Sequence, residues 1–282
     1  MKHYKEFNIT AEPFIPEIIS GMMWDLEITG INEEVNCIKV FAEENSSASV
    51  EKISGQLNKL VHEKMIFNFS VEENLIEDKN WNEEWEKSVR VIEVSDKLVI
   101  KPTFKDYQAK QGQIIITIDP KMSFGTGEHQ TTKLVLQFLE KNVKTGIKVL
   151  DIGSGTGVLA IAAVKLGAES AIAVDNDEWC YNNGRENCIL NSVDKKIEVR
   201  RGEIKNIPEN NFDLITANIQ KNILLDIAGE IKFRLKPGGL LILSGLLYYD
   251  EEDIAKKYSL LNFEILEKKS LDEWIAVKMS LR

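Results

Sequence analysis

Cysteine is scarce in this chain. Cys37, Cys180 and Cys188 are odd in number, widely spaced and contain no C-x-x-C pair. That disfavours a disulfide framework and a zinc site, and makes a reducing cytoplasm the simplest expectation. Histidine is as sparse: His3, His62 and His129 are scattered, so no metal centre is expected. No apolar run reaches the roughly 18 residues of a membrane span. The opening Met-Lys-His-Tyr-Lys-Glu has no apolar stretch behind its charges, so it does not read as a signal peptide. Basic charge is also short. The formal net charge of −10 argues against a large nucleic-acid surface. Neither a direct nucleic-acid partner nor a membrane is therefore expected.

What is present divides the chain. Residues 1–76 hold six Lys and no Arg against thirteen Asp and Glu, a net of −7. So acidic a module suits a basic partner, or serves solubility alone. Its pattern predicts a strand over 4–10, then a helix opened by Pro13 and Pro16 and carrying Phe14, Ile18, Ile19, Met22 and Met23. Strands near 28–32 and 36–42, a helix over 49–64 and a strand over 66–71 follow. The order β-α-β-β-α-β is the ferredoxin-like arrangement. That fold has no chemistry of its own and no catalytic constellation shows in it, so substrate docking is the expected role. Residues 77–88 place Trp81 and Trp85 on one face of a short charged helix, a connector between domains. The expected division is 1–76, a linker over 77–88, and a larger domain over 89–282.

The larger domain is organised around Lys148-Val-Leu-Asp-Ile-Gly-Ser-Gly-Thr-Gly-Val158. A short apolar run stops at alternating glycines, and an apolar helical pattern follows at once. That is a strand, a glycine turn and a helix N-terminus, where backbone can come close to a ligand. A dinucleotide site wants G-x-G-x-x-G. Here the third glycine comes one position early, at Gly157, and Val occupies 158. With Asp151 directly before the turn, the pattern looks like motif I of the class I S-adenosylmethionine (SAM)-dependent methyltransferases. On this motif alone, a packed glycine turn in any α/β domain stays open.

Before it, Phe124-Gly-Thr-Gly-Glu-His-Gln-Thr-Thr132 leads into a helix. Gly125, Thr126 and Gly127, with Thr131 and Thr132 as a cap, offer N–H groups and hydroxyls to an anion such as a methionine carboxylate. His129 is a base or, like most lone loop histidines, structural. After the turn, Ala171–Asp175 is a buried strand ending in an acid. An acid at that separation accepts from ribose hydroxyls, and Asp175 is preferred to Asp177 because it ends the strand. The helix over 178–190 holds Cys180 and Cys188 as packing thiols. Glu203, after the third strand, takes the adenine amino group or is a solvated loop carboxylate. The fourth strand, 212–218, ends at Asn218. A helix from Ile223 to Leu235, stopped by Lys236-Pro-Gly-Gly239, an apolar strand over 240–247, a helix near 250–259 and strands near 262–267 and 273–279 complete a doubly wound, mostly parallel sheet. Three further strands are expected near 89–94, 97–102 and 113–118.

The glycine turn, the Phe124–Thr132 loop, Ala217-Asn218-Ile219 and Asp78-Lys-Asn-Trp-Asn-Glu-Glu-Trp85 together closely resemble the ribosomal protein L-eleven methyltransferase family, over nearly the whole chain. The resemblance implies a seven-stranded class I methyltransferase sheet behind a ferredoxin-like domain, with SAM as cosubstrate. It implies that the acidic domain grips the ribosomal protein while lysine side chains and the N-terminal α-amino group are methylated. The SAM contacts carried over fall on Thr132, Gly153, Asp175 and Asn218. The turn adds Gly155 and Gly157, and the loop adds Phe124, Gly125, Thr126, Gly127 and Thr131.

The chemistry narrows the nucleophile separately. An amine must arrive neutral, and Asn218 at a strand end can accept a hydrogen bond from it and aim its lone pair. Methyltransferases of adenine or of glutamine amides use Asn-Pro-Pro-aromatic at this place. Asn218-Ile-Gln-Lys221 has neither proline nor aromatic to stack on a planar group. The alternatives are a SAM-dependent enzyme acting on another protein or a small amine, and a non-catalytic SAM-binding module.

Overall fold

The computed structural model describes residues 3–77, 89–119 and 125–282. Contacts divide the chain into two units, Met1–Trp85 and Glu86–Arg282. The connector expected over 77–88 and the loop residue Phe124 lie outside the described residues, apart from the backbone of Glu77.

In the first unit, strands β1 (His3–Glu12), β2 (Gly30–Glu33), β3 (Ile38–Glu43) and β4 (Asn68–Glu77) form one antiparallel sheet in the order β2-β3-β1-β4. Helix α1 (Pro16–Met23) takes Pro16 into its first turn, where a missing N–H costs nothing. Helix α2 (Val50–His62) is capped by Ser49, whose hydroxyl accepts from the Lys52 N–H. Alternation along the strands turns Phe7, Ile9, Ile38 and Val40 to one face. They bury there with Ile19 and Met23 of α1 and Ile53, Leu57 and Leu60 of α2. β4 runs six residues beyond the expected 71, because every residue of β1 from His3 to Glu12 finds a partner on it. Glu72 and Glu73 are exposed, so the sequence there lacks a strand's apolar alternation.

In the second unit, the three early strands pair with one another, as β5 (Ile92–Glu93), β6 (Leu98–Lys101) and β7 (Ile114–Thr117). The main sheet follows, built from β8 (Lys148–Ile152), β9 (Ser170–Asp175), β10 (Ile197–Arg201), β11 (Phe212–Asn218), β12 (Leu235–Leu247), β13 (Phe263–Leu271) and β14 (Trp274–Leu281). Its order is β10-β9-β8-β11-β12-β14-β13; β14 runs antiparallel to both its neighbours, and β8 to β12 pair in parallel. The chain thus builds outward from β8 through β9 to β10, then returns to the other side of β8 as β11. Between β8 and β11 lies a topological switch point, where open α/β sheets leave a crevice beyond the strand ends.

The helices are α3 (Gln130–Asn142), α4 (Val158–Lys165), α5 (Glu178–Leu190), α6 (Lys221–Asp226), α7 (Ala228–Arg234) and α8 (Glu251–Ser259). Residues of α3, α4 and α5 share one buried cluster with Val149, Ala173 and Leu214. Residues of α6, α7 and α8 share another with Leu150, Ile152, Ile215 and Leu243. Alternation along β11 therefore sends Leu214, Thr216 and Asn218 toward the α3 side, and Ile215, Ala217 and Ile219 toward the α6 side. The single helix expected from 223 to 235 is two, bent at Ile227, where ψ opens to 3°. The Ile227 N–H still reaches the Ile223 carbonyl and its carbonyl still accepts from Ile231. The apolar stripe of Leu224, Ala228 and Ile231 runs through the bend unbroken, so its periodicity carries no trace of the kink. No helix among the described residues is long and apolar enough to cross a membrane.

Candidate active site

At the carboxyl end of β8 the chain turns on Gly153, Gly155 and Gly157, with φ of 68°, 52° and 80°. These left-handed conformations strain any residue with a Cβ. Gly153 also answers to a neighbour: a Cβ there would run into the Ile219 Cγ2 methyl, so glycine allows the turn to lie under the end of β11. At Gly157 a Cβ would make an ordinary contact with Gly184 of α5 at 3.6 Å, and the positive φ alone calls for glycine. The Gly155 N–H donates to Asp175 Oδ2 at 2.9 Å, and the Asp177 N–H donates to Asp175 Oδ1 at 3.0 Å. One carboxylate so ties the ends of β8 and β9 together. Asp177 caps α5 by accepting from the Cys180 N–H, and that leaves Asp175 as the acid at the strand end.

A cavity of about 460 Å³ opens over this turn. Gly153, Gly155 and Asp175 line its floor, Asn218 and Ile219 one side, and Thr131 and His129 the loop side. A second cavity, of about 290 Å³, shares Gly153, Asp175 and Ile219 with it and extends past Gly202 and Glu203 over Ile204 and Ile227. The structure therefore brings Thr131, Gly153, Gly155, Asp175 and Asn218 around one space, with Glu203 at the adjoining one. Glu203 pairs with Lys205 at 2.7 Å and is more than half exposed, while it lines the second cavity.

Asn218 is 9 % exposed. Its Nδ2 donates to Thr132 Oγ1 at 3.4 Å, while its Oδ1 has no partner. A buried carbonyl oxygen without a donor is costly and calls for a partner, such as a water, an ion or a ligand. Thr132, 1 % exposed, sits behind Asn218 and orients it rather than lining the cavity. Next to it in the sheet, Asp151 pairs with Thr216 and is fully buried. Burial pushes its carboxyl up to about 7, against the pull of the Thr216 hydroxyl that donates to Oδ1 at 2.8 Å.

The loop glycines pack rather than line. Gly125, with φ of 102°, lets its backbone approach Thr156, whose Oγ1 donates to the Gly125 carbonyl at 2.7 Å. Gly127 leaves room for Ile100 of β6. Thr126 accepts from the Glu128 N–H through Oγ1. The cap of α3 is His129, not a threonine: its Nδ1 accepts from the Thr131 N–H at 3.3 Å, and the ring stacks edge-on against Trp274 with centroids 4.8 Å apart. Imidazole nitrogen here replaces the expected hydroxyl because Thr131 and Thr132 already lie inside the first turn, both buried.

Cavity residues that carried no expected cosubstrate or catalytic role are Asn176, Cys180, Ile219, Gln220, Ile223, Gly245 and Trp274. Cys180 lines the cavity instead of packing in the core, whereas Cys188 is buried and its thiol is pushed up to about 12. Gly245 had a legible signal, a glycine inside an apolar strand. A Cβ there would strike the Ile219 backbone, with the carbonyl carbon 2.9 Å away.

The family model of the Ribosomal protein L11 methyltransferase (PrmA) matches residues 19–282. A ribosomal protein L11 methyltransferase of Desulforapulum autotrophicum is 31% identical over 283 residues, covering 94% of this chain and 93% of that one. The one of Acetivibrio thermocellus is 37% identical over 202 residues, covering 72% of this chain. The chain spans 64% of the length of that relative and 65% of the one from Ruminiclostridium cellulolyticum. The crystal structure of a ribosomal protein L11 methylase from Lactobacillus delbrueckii subsp. bulgaricus superposes with a TM-score of 0.65 at 35% identity, over 69% of this chain and 100% of that one. With a family model matched over all but its first 18 residues and a relative aligned almost end to end, the chain belongs to the ribosomal protein L11 methyltransferase family.

Proposed function

We propose that the protein transfers methyl groups from SAM to lysine side-chain and N-terminal amines of ribosomal protein L11. In this reading the second unit is a class I methyltransferase domain, and the acidic first unit is a ferredoxin-like module that docks the basic substrate. The observation that carries it is the partnerless Oδ1 of Asn218, held at the crevice between β8 and β11.

The residues around the crevice fit SAM. Asp175 spends one lone pair on each of two N–H donors, and a carboxylate has about four sites, so it can still accept from two ribose hydroxyls. Gly153 and Gly155 offer a wall without side chains. The aliphatic slot of Ile204, Ile219 and Ile227, with Gly202 and Glu203 at its edge, suits a flat adenine. Thr131 stands on the side assigned to the methionine carboxylate, and Gly125, Thr126 and Gly127 belong to the loop that leads to it. Gly157 completes the turn, and Phe124 is kept in the assignment on the sequence resemblance alone.

The bound cosubstrate supplies an electrophilic methyl on a sulfonium. The chain's part is to deliver a neutral amine in line with it, so positioning carries much of the rate. A free lysine has a pKa of about 10.4, and desolvation in the cavity favours its neutral form. Asn218 Oδ1 accepts one amine N–H, which turns the lone pair away from Asn218 and toward the methyl. The Thr132 hydroxyl holds the Asn218 amide so that oxygen, not nitrogen, faces the amine.

The test is incubation with methyl-labelled SAM and the proteins of the large ribosomal subunit, with mass spectrometry of whatever is labelled. Label on lysine and α-amino groups of ribosomal protein L11 supports the proposal. Label on another protein or a small amine redirects the substrate, and SAM binding without transfer would leave a non-catalytic module.

A further inference from the structure

Asn183, Asn187 and Asn191 recur at every fourth position, the first two within α5 and the third as its C-cap, so they share one stripe. They are 2%, 0% and 7% exposed. Buried amides on a helix face cost stability unless they are bonded. Here they bond to backbone, all but the Asn183 Oδ1, which is buried without a partner. β7 is an edge strand whose other side pairs with β6, and Thr117 and Asp119 turn their peptide groups to its open edge. The Asn191 amide answers both groups of Thr117, accepting its N–H at 2.9 Å and donating to its carbonyl at 2.6 Å. Asn187 Oδ1 accepts from the Asp119 N–H at 3.1 Å, and Asn183 Nδ2 donates to the Asp119 carbonyl at 3.0 Å. The asparagines thus pair with β7 as a strand would.

Asn187 does more than pair. Its Nδ2 donates to the Thr156 carbonyl in the glycine turn at 3.0 Å, and the Thr156 hydroxyl in turn donates to the Gly125 carbonyl at 2.7 Å. Asn187 and Thr156 are both 0% exposed. Two side chains therefore fasten the backbone at Asp119 and at Gly125 to the same residue of the turn, Thr156. Neither side chain lines the cavity.

We infer that Asn187 and Thr156 are positioning residues for the cosubstrate: they hold the chain at Asp119 and Gly125 against the glycine turn, and so fix the loop wall of the cavity at His129 and Thr131 relative to Gly153 and Gly155. The inference rests on the SAM reading of that cavity.

The test is calorimetric titration of SAM into the full chain and into Thr156→Val, Thr156→Cys and Thr156→Ser, with thermal melts alongside. Thr156→Val keeps the shape and removes the donor, leaving the buried Gly125 carbonyl unpaired. Affinity is expected to weaken about tenfold in it, less in Thr156→Cys, and to return nearly to the parent in Thr156→Ser. Asn187→Ser should weaken binding too. Combined with Thr156→Val it should cost less than the product of the two single effects, since both act through Thr156. Parental affinity in Thr156→Val, or equal losses in the Val and Ser variants, would overturn the inference, the latter by assigning Thr156 to packing alone. Should Thr156→Val fail to fold, the Cys-to-Ser difference decides in the same way. A parent that does not bind SAM would refute the cofactor reading instead.

Discussion

Asn218 gives its side-chain N–H to the Thr132 hydroxyl, and its Oδ1, buried beside the cavity that Asn218 lines, has no donor. Asn218→Ala removes the acceptor proposed for the incoming amine, together with the bond to Thr132. Methyl transfer is expected to fall by about a hundredfold or more, while SAM affinity weakens by less than about tenfold. Labelled transfer measured beside calorimetry separates the two. A parental rate would show that Asn218 does not position the amine.

Asp175→Ala should reverse that ratio. The carboxylate holds the Gly155 N–H and is assigned the ribose hydroxyls, so its loss strikes binding first. SAM affinity is expected to drop by about 10- to 100-fold, and unchanged affinity would sink the ribose assignment.

Gly153→Ala sets a methyl against Ile219 Cγ2 at a backbone φ of 68°. A loss of about 1–3 kcal/mol in unfolding free energy is expected, together with weaker SAM binding. Adding Ile219→Ala should restore the steric share and leave the φ strain. Denaturant unfolding of the double variant reads the difference, and no recovery at all would mean that Ile219 is not the obstacle.

Asp151 makes stability depend on pH. Its folded carboxyl lies at about 7 against an ordinary 3.8, so between those values the folded chain keeps a proton that the unfolded chain releases. The stabilisation is full below about pH 4 and is lost as pH rises through about 7. In the SAM-free protein, Asp151→Asn should flatten the fall in melting temperature between pH 5 and pH 8. Parallel curves for parent and variant would refute the assignment.

Removing residues 1–76 tests the docking role. The second unit has hydrophobic clusters of its own, so SAM binding should persist while methylation of the ribosomal protein is lost. Retained protein methylation in the shortened chain would show that the first unit does not dock the substrate.

Much of the site is legible in the sequence because it sits at strand ends. Gly153, Asp175 and Asn218 each close an apolar run, and a parallel sheet brings the carboxyl ends of its strands to one edge. Those positions follow from order along the chain. The roles of the loop residues do not. Thr132 acts through Asn218, 86 residues later, and Gly125 acts through Thr156, 31 residues later.

The sequence by itself determined the alternation of strands and helices, the glycine turn at 153–157, the acid at 175 and the amide at 218. Local pattern suffices there, because periodicity and left-handed glycines are properties of neighbouring residues. Only the tertiary structure decided which way each side chain points and what it meets. It set Ile219 over Gly153 and Gly245, His129 rather than a threonine at the cap of α3, Trp274 beside that histidine, and the asparagines of α5 against β7. The physical reason is common to all of these. A close approach, or a hydrogen bond between distant segments, depends on packed distances that hydrophobic periodicity does not encode.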